Sequence, residues 1–151
     1  MMVYLDTSSL VKVFIEEAGS DEVRALVEGA TVATSVIAYP EARAAFARRR
    51  RERTLTPRAF AAAKRALDGD WPTYASLEVT ADVARHAGEL AERYALRGFD
   101  SMHLASFVAV ASQAAEGDVA FSSFDSALNR AADTWLRQAR RASVSPRRPR
   151  S

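Results

Sequence analysis

The sequence predicts an α/β fold of three layers: a short, mainly parallel sheet of about four strands, flanked on both faces by helices. Two observations carry this. Short apolar runs alternate with longer helical patterns, as repeated βαβ units produce. The 151 residues also suffice for one domain with a sizeable core, and no internal repeat suggests an array.

Val3-Tyr4-Leu5 is short, apolar and bounded by Asp6-Thr7-Ser8, a buried strand running into a turn. Residues 8–17 put Leu10, Val11, Phe14 and Ile15 on one helical face, ended at Gly19. Ser20 or Asp21 then caps a second short helix with Val23, Leu26 and Val27. Thr31 to Ser35 reads as the second strand. The helix over 36–52 accommodates Pro40 only in its first turn, which puts Glu41 near its amino end. Thr56-Pro57 starts another helix, running to about Leu67 and broken between Gly69 and Pro72.

Leu77-Glu78-Val79 is a weak third strand, after which Thr80 or Asp82 opens a helix that ends before Gly98. Asp100 begins the most apolar helix of the chain, with Met102, Leu104, Ala105, Phe107, Val108 and Val110. Being apolar nearly all round, it belongs in the middle of the molecule. Val119 to Ser122 forms the fourth strand and Asp125 starts a last helix through Trp135. The domain is read as 1–142. Residues 143–151 are Ser, Pro and Arg with almost nothing apolar, a tail expected to be disordered.

Composition narrows the chemistry. With no cysteine there is neither a disulfide framework nor a thiolate metal site, and His86 and His103 are too few and badly spaced for a histidine-rich zinc site. The start lacks a secretory signal and the longest apolar run is far short of a membrane span, so a soluble cytoplasmic protein is expected. The formal charge of +2 conceals an acidic stretch early in the chain. Two basic stretches follow, Arg43 to Arg58 and Arg137 to Arg150, and suit a polyanionic partner as well as a solvated face.

Four acids share one local setting. Asp6, Glu41, Asp100 and Asp125 each follow a strand-like run or begin a helix-like one. In an open α/β sheet such junctions lie outside the carboxyl ends of the strands, where ligands bind. Four carboxylates gathered there repel one another unless a cation lies between them, and oxygen ligands suit Mg²⁺ or Mn²⁺. Each acid also has an ordinary reading as a helix cap or a dipole partner, worth about 1 kcal/mol. Asp118, which precedes the fourth strand, belongs at the opposite edge. Thr7, Ser8 and Ser123 read as orienting carboxylates or a metal-bound water, or as satisfying turn backbone, His103 as a buried supporting group, and Lys12 as a surface lysine.

These segments resemble the PIN-domain family, and within it the ribonuclease toxins of VapBC toxin–antitoxin pairs. The similarity runs from Val3 to about Ala132 through Val3-Tyr4-Leu5-Asp6-Thr7-Ser8, Thr34-Ser35 leading to Glu41-Ala42-Arg43, Asp100-Ser101-Met102-His103-Leu104-Ala105, and Phe121-Ser122-Ser123-Phe124-Asp125. A serine stands at 123 where the family usually has threonine. The resemblance implies a metal-dependent endoribonuclease with Asp6, Glu41, Asp100 and Asp125 as catalytic metal ligands and Ser8 and Ser123 in support. It also implies a structured RNA substrate such as transfer or ribosomal RNA, a cognate VapB-type antitoxin, and a homodimer. Two other classes compete: a catalytically silent PIN-like module that holds RNA or protein, and a metal-dependent phosphatase. The phosphatase pattern wants a second Asp two residues after Asp6, where Ser8 stands.

Overall fold

The computed structural model of the chain describes residues 1–144. Four parallel strands, β1 (Met2–Leu5), β2 (Thr31–Ser35), β3 (Ala75–Leu77) and β4 (Val119–Ser122), form one sheet in the order β3-β2-β1-β4. The chain moves outward from β1 to β3 and then crosses back to add β4 on the other side of β1. The direction of winding therefore reverses between β1 and β4.

Alternation along β1 divides the core in two. Val3 and Leu5 face the layer of α1 (Thr7–Phe14), α2 (Ser20–Val27), α3 (Ala38–Arg51) and α4 (Pro57–Asp70), where they join Leu10, Val23, Phe46 and Leu67. Tyr4 points the other way, toward α5 (Ala81–Tyr94), α6 (Gly98–Ala111) and α7 (Ser126–Val144), among Leu90, Leu104, Phe107 and Leu128. Period-two side-chain placement in a strand buried on both faces is what makes this α/β/α sandwich. On the second face the Tyr4 ring stacks on Phe121 at 5.8 Å, and Phe107 meets both rings and Trp135.

The α/β/α architecture matches the sequence expectation, with shifts at several boundaries. β3 covers Ala75–Leu77 instead of 77–79, because its pairing with Ala33–Ser35 sets the register. α4 runs through Gly69 to Asp70 and passes into a short 3-10 turn over Trp71–Thr73. α6 begins at Gly98 with Arg97 at its N-cap, so Asp100 is not the cap residue but lies in the first turn. α7 continues past the expected boundary at 142 to Val144, and 145–151 lie outside the described residues. No helix among the described residues is long and apolar enough to cross a membrane.

Candidate active site

Each of the four acids is delivered by a different element to the carboxyl end of the sheet. Asp6 follows β1 and caps α1, accepting from the Ser9 backbone N–H at 3.0 Å. Glu41 stands in the first turn of α3, past the exit of β2. Asp100 occupies the first turn of α6. Asp125, beyond β4, accepts from the Leu128 N–H at 2.8 Å and so caps α7. Asp118 lies at the far edge, where its carbonyl accepts from the Met2 N–H at the start of β1.

Hydrogen bonds and ion pairs tie these positions into two neighbouring clusters, joined through the chain at Asp6-Thr7 and along α6. Asp6 is 4% exposed. Its Oδ1 accepts from Ser8 Oγ at 2.7 Å as well as from Ser9 N–H, and its Oδ2 accepts from Ser123 Oγ at 2.6 Å. The Asp125 N–H donates to the same Ser123 hydroxyl at 3.0 Å. Arg97 then joins Asp125 to Asp100, with Nε 2.8 Å from Asp100 Oδ2 and Nη2 3.6 Å from Asp125 Oδ2. On the other flank, Thr7 Oγ1 donates to Glu41 Oε1 at 2.7 Å.

His103 belongs to the second cluster, one helical turn after Asp100 on α6. Its Nε2 lies 2.9 Å from Glu41 Oε1 and 3.1 Å from Thr7 Oγ1, and its Nδ1 lies 3.0 Å from the Tyr4 hydroxyl. Burial raises the Tyr4 pKa well above its ordinary value, so the phenol keeps its proton and donates to Nδ1. The tautomer that fits carries hydrogen on Nε2, aimed at Glu41. Burial also pushes Glu41 up, but the hydrogen bonds from His103 and Thr7 outweigh it and hold the carboxyl below its ordinary range. Asp6 behaves oppositely: burial dominates and raises its pKa despite the Ser123, Ser8 and Ser9 donors.

A PIN-domain model matches residues 3–134 of the chain. The chain belongs to the PIN-domain family. It is 44% identical to ribonuclease VapC45 of Mycobacterium tuberculosis strain CDC 1551 / Oshkosh over 110 residues, covering 72% of this chain and 76% of that protein. Ribonuclease VapC49 of M. tuberculosis strain H37Rv shows the same identity over the same shares of both chains.

PIN-domain nucleases are metal-dependent hydrolases, and the donor set of this PIN domain fits a hard cation. The four acids offer only oxygen, the preference of hard divalent ions. Asp6 is buried with hydroxyl and amide partners but no basic residue in ion-pair contact among the described residues. Asp100 and Asp125 already share the positive charge of Arg97, which stands in for a cation between them. Among the described residues, no three acids or histidines lie close enough together in this structure to hold an ion. Arg97 is 81% exposed and reaches both acids from the solvent side.

Two side chains of these clusters escape a reading of the sequence. Arg97 was signalled only by its three-residue spacing from Asp100 on a helix, and Tyr4 looked like an ordinary strand residue. Lys12, expected at the surface, is held by Glu17 at 3.0 Å and the Ala18 carbonyl at 2.8 Å. Much of the basic sequence lies at the far ends of α3 and α7. Arg48 to Arg51 form the last turn of α3, and Arg137, Arg140 and Arg141 lie in the second half of α7. At 1.5 Å of rise per residue they are on the order of 10–25 Å from the acids that begin those helices.

Proposed function

We propose that this PIN domain is a metal-dependent endoribonuclease, the toxin of a toxin–antitoxin pair, hydrolysing phosphodiester bonds in structured RNA. The observation that carries the reading is positional. The winding of the sheet reverses between β1 and β4. Asp6 follows the first of these strands and Ser123 and Asp125 follow the second, the place where open α/β sheets bind ligands. The similarity to two proteins named ribonuclease VapC supports the substrate class and the pairing with a VapB-type antitoxin. Action in the cytoplasm and a homodimer accompany that reading.

Asp6 and Asp100 are the principal ligands for Mg²⁺ or Mn²⁺, with Glu41 and Asp125 completing the set. When bound, the ion supplies the charge that lets water attack near neutral pH and that stabilises the reacting phosphate. The protein contributes order. Ser8 and Ser123 fix both oxygens of Asp6, and the Tyr4–His103 pair with Thr7 fixes Glu41. Arg97 neutralises Asp100 and Asp125 until they take part, then stands free beside an incoming phosphate.

The Arg97 bridge also favours a second reading, a silent module in which the arginine permanently neutralises the acids. Cleavage of total cellular RNA in Mn²⁺, with mapping of new 5′ ends, separates the two. The wild type is expected to produce discrete cuts that Asp100→Asn abolishes. Equal cutting by both proteins would remove the carboxylate mechanism, and none by the wild type would favour the silent module.

A further inference from the structure

Among the described residues four large apolar side chains are exposed: Met1, Phe99, Phe124 and Val144. Met1 and Val144 sit at the ends of the described chain. The two phenylalanines each directly precede an acid of the site, Asp100 and Asp125. Single exposed apolar residues are common and need no function. Phe124 differs in how firmly it is built in.

Its backbone is anchored to the network around Asp6. The Phe124 N–H donates to Ser8 Oγ at 2.8 Å, and that hydroxyl donates to Asp6 at 2.7 Å. Ser123, immediately before it, bonds the other oxygen of Asp6. The ring is seated as well. Lys12 Nζ lies 4.5 Å from its centroid, on a lysine that is only 14% exposed and is itself pinned by Glu17 and Ala18. The ring edge rests on Gly19, where a Cβ would come within 2.6 Å of Cε1 and 2.8 Å of Cζ. Gly19 has φ +88°, so its lack of a side chain serves both the turn and the ring. What remains is a fixed aromatic surface, 43% exposed, at the rim of a phosphodiester site.

Resting on the ribonuclease reading, we infer that Phe124 is a stacking platform for an unpaired nucleobase beside the scissile phosphate. The site thereby selects unpaired RNA over duplex. Every base has a π-face, so such a platform admits any sequence but requires that the base be out of its helix. A phenylalanine pre-set in one orientation offers that face with little ordering cost on binding.

The test uses the full chain in chelator. A labelled unpaired RNA decamer and the same decamer annealed to its complement are titrated by fluorescence anisotropy. Phe124→Ala is expected to weaken single-strand binding about tenfold or more, with duplex binding unchanged. Phe124→Trp should restore single-strand affinity, and Phe124→Leu should behave like the alanine variant. In Mn²⁺ the loss should appear in KM rather than in kcat. Single-strand affinity in Phe124→Ala equal to the wild type overturns the inference, as expected if the ring docks a protein. So does full affinity in Phe124→Leu, which reduces the contact to apolar packing. Wild-type protein that cleaves while Phe124→Ala matches it defeats stacking alone. Wild-type protein that neither binds nor cuts RNA defeats the ribonuclease reading and this inference with it.

Discussion

Asp6 and Glu41 are both partly or wholly removed from water, yet their titration runs in opposite directions. Burial lifts Asp6 above its ordinary value of 3.8. The folded chain therefore holds that proton more tightly than the unfolded one, and stability falls as pH rises through the shifted value. In chelator at neutral pH, Asp6→Asn should melt higher than the wild type, and the gain should vanish below about pH 3.8, where both forms are neutral. Added Mn²⁺ should raise the wild-type melting temperature and leave the variant's unchanged. A lower melting point for Asp6→Asn at pH 7 would mean that its three hydrogen bonds outweigh the burial of charge.

Glu41 is held below its ordinary 4.5, because the His103 and Thr7 bonds outweigh burial. Its contribution is intact above that value and is lost as the solution is acidified through the depressed one. Glu41→Gln should lack this acid-side loss in melting curves taken across the range. The acids themselves were legible because residue type and junction are both written in the chain. Arg97 and Tyr4 were not, and His103 was legible as a buried supporting group but its partners were not. Their roles depend on side chains from β1, α1, α3 and α6 arriving at the same few ångströms, which no local pattern encodes.

Several helices of this molecule start on identifiable capping signals. Thr56 accepts from the Ala59 N–H at 3.1 Å, and Thr80 accepts from the Val83 N–H at 3.2 Å. Both were visible as Thr before a helical run. Thr80→Ala should cost about 1 kcal/mol in chemical denaturation without touching cleavage. Asp125 caps α7 and, on the proposed reading, also serves as an acid of the site. Asp125→Asn keeps a capping side chain and should hold its stability to within a few tenths of a kcal/mol while cleavage drops. Asp125→Ala should lose both. An undiminished rate in Asp125→Asn would transfer its duty to Ser123. Helix ends were less legible than starts. Gly69 read as a breaker, but a glycine costs only about 1 kcal/mol inside a helix, and α4 continues past it.

At the level of the whole molecule, alternating strands and helices made the sandwich readable, whereas the strand order did not follow from them. β4 returns to pair with β1 instead of joining beside β3, and α5 and α6 cover the second face around Tyr4. That choice sets the reversal point and brings Ser123 to Asp6 across 117 residues of sequence. The charge map is equally a property of the whole fold. Arg48, Arg51 and Arg53 are exposed at the far end of α3. Changing all three to glutamine should weaken binding of a long structured RNA and reduce its salt dependence by about 0.7–0.9 per lost phosphate contact. Cutting of a short oligonucleotide should be unaffected. An equal effect on both substrates would place those arginines inside the reaction footprint.

One rigid rod, α3, thus carries Glu41 at its first turn and four arginines at its last. About 15 Å separates Glu41 from Arg51 at the helical rise of 1.5 Å per residue. On the proposed reading this rod is a ruler. A backbone gripped at the arginine end offers to the carboxylate end only those linkages at the matching remove, so position along the strand is chosen by length before any base is inspected.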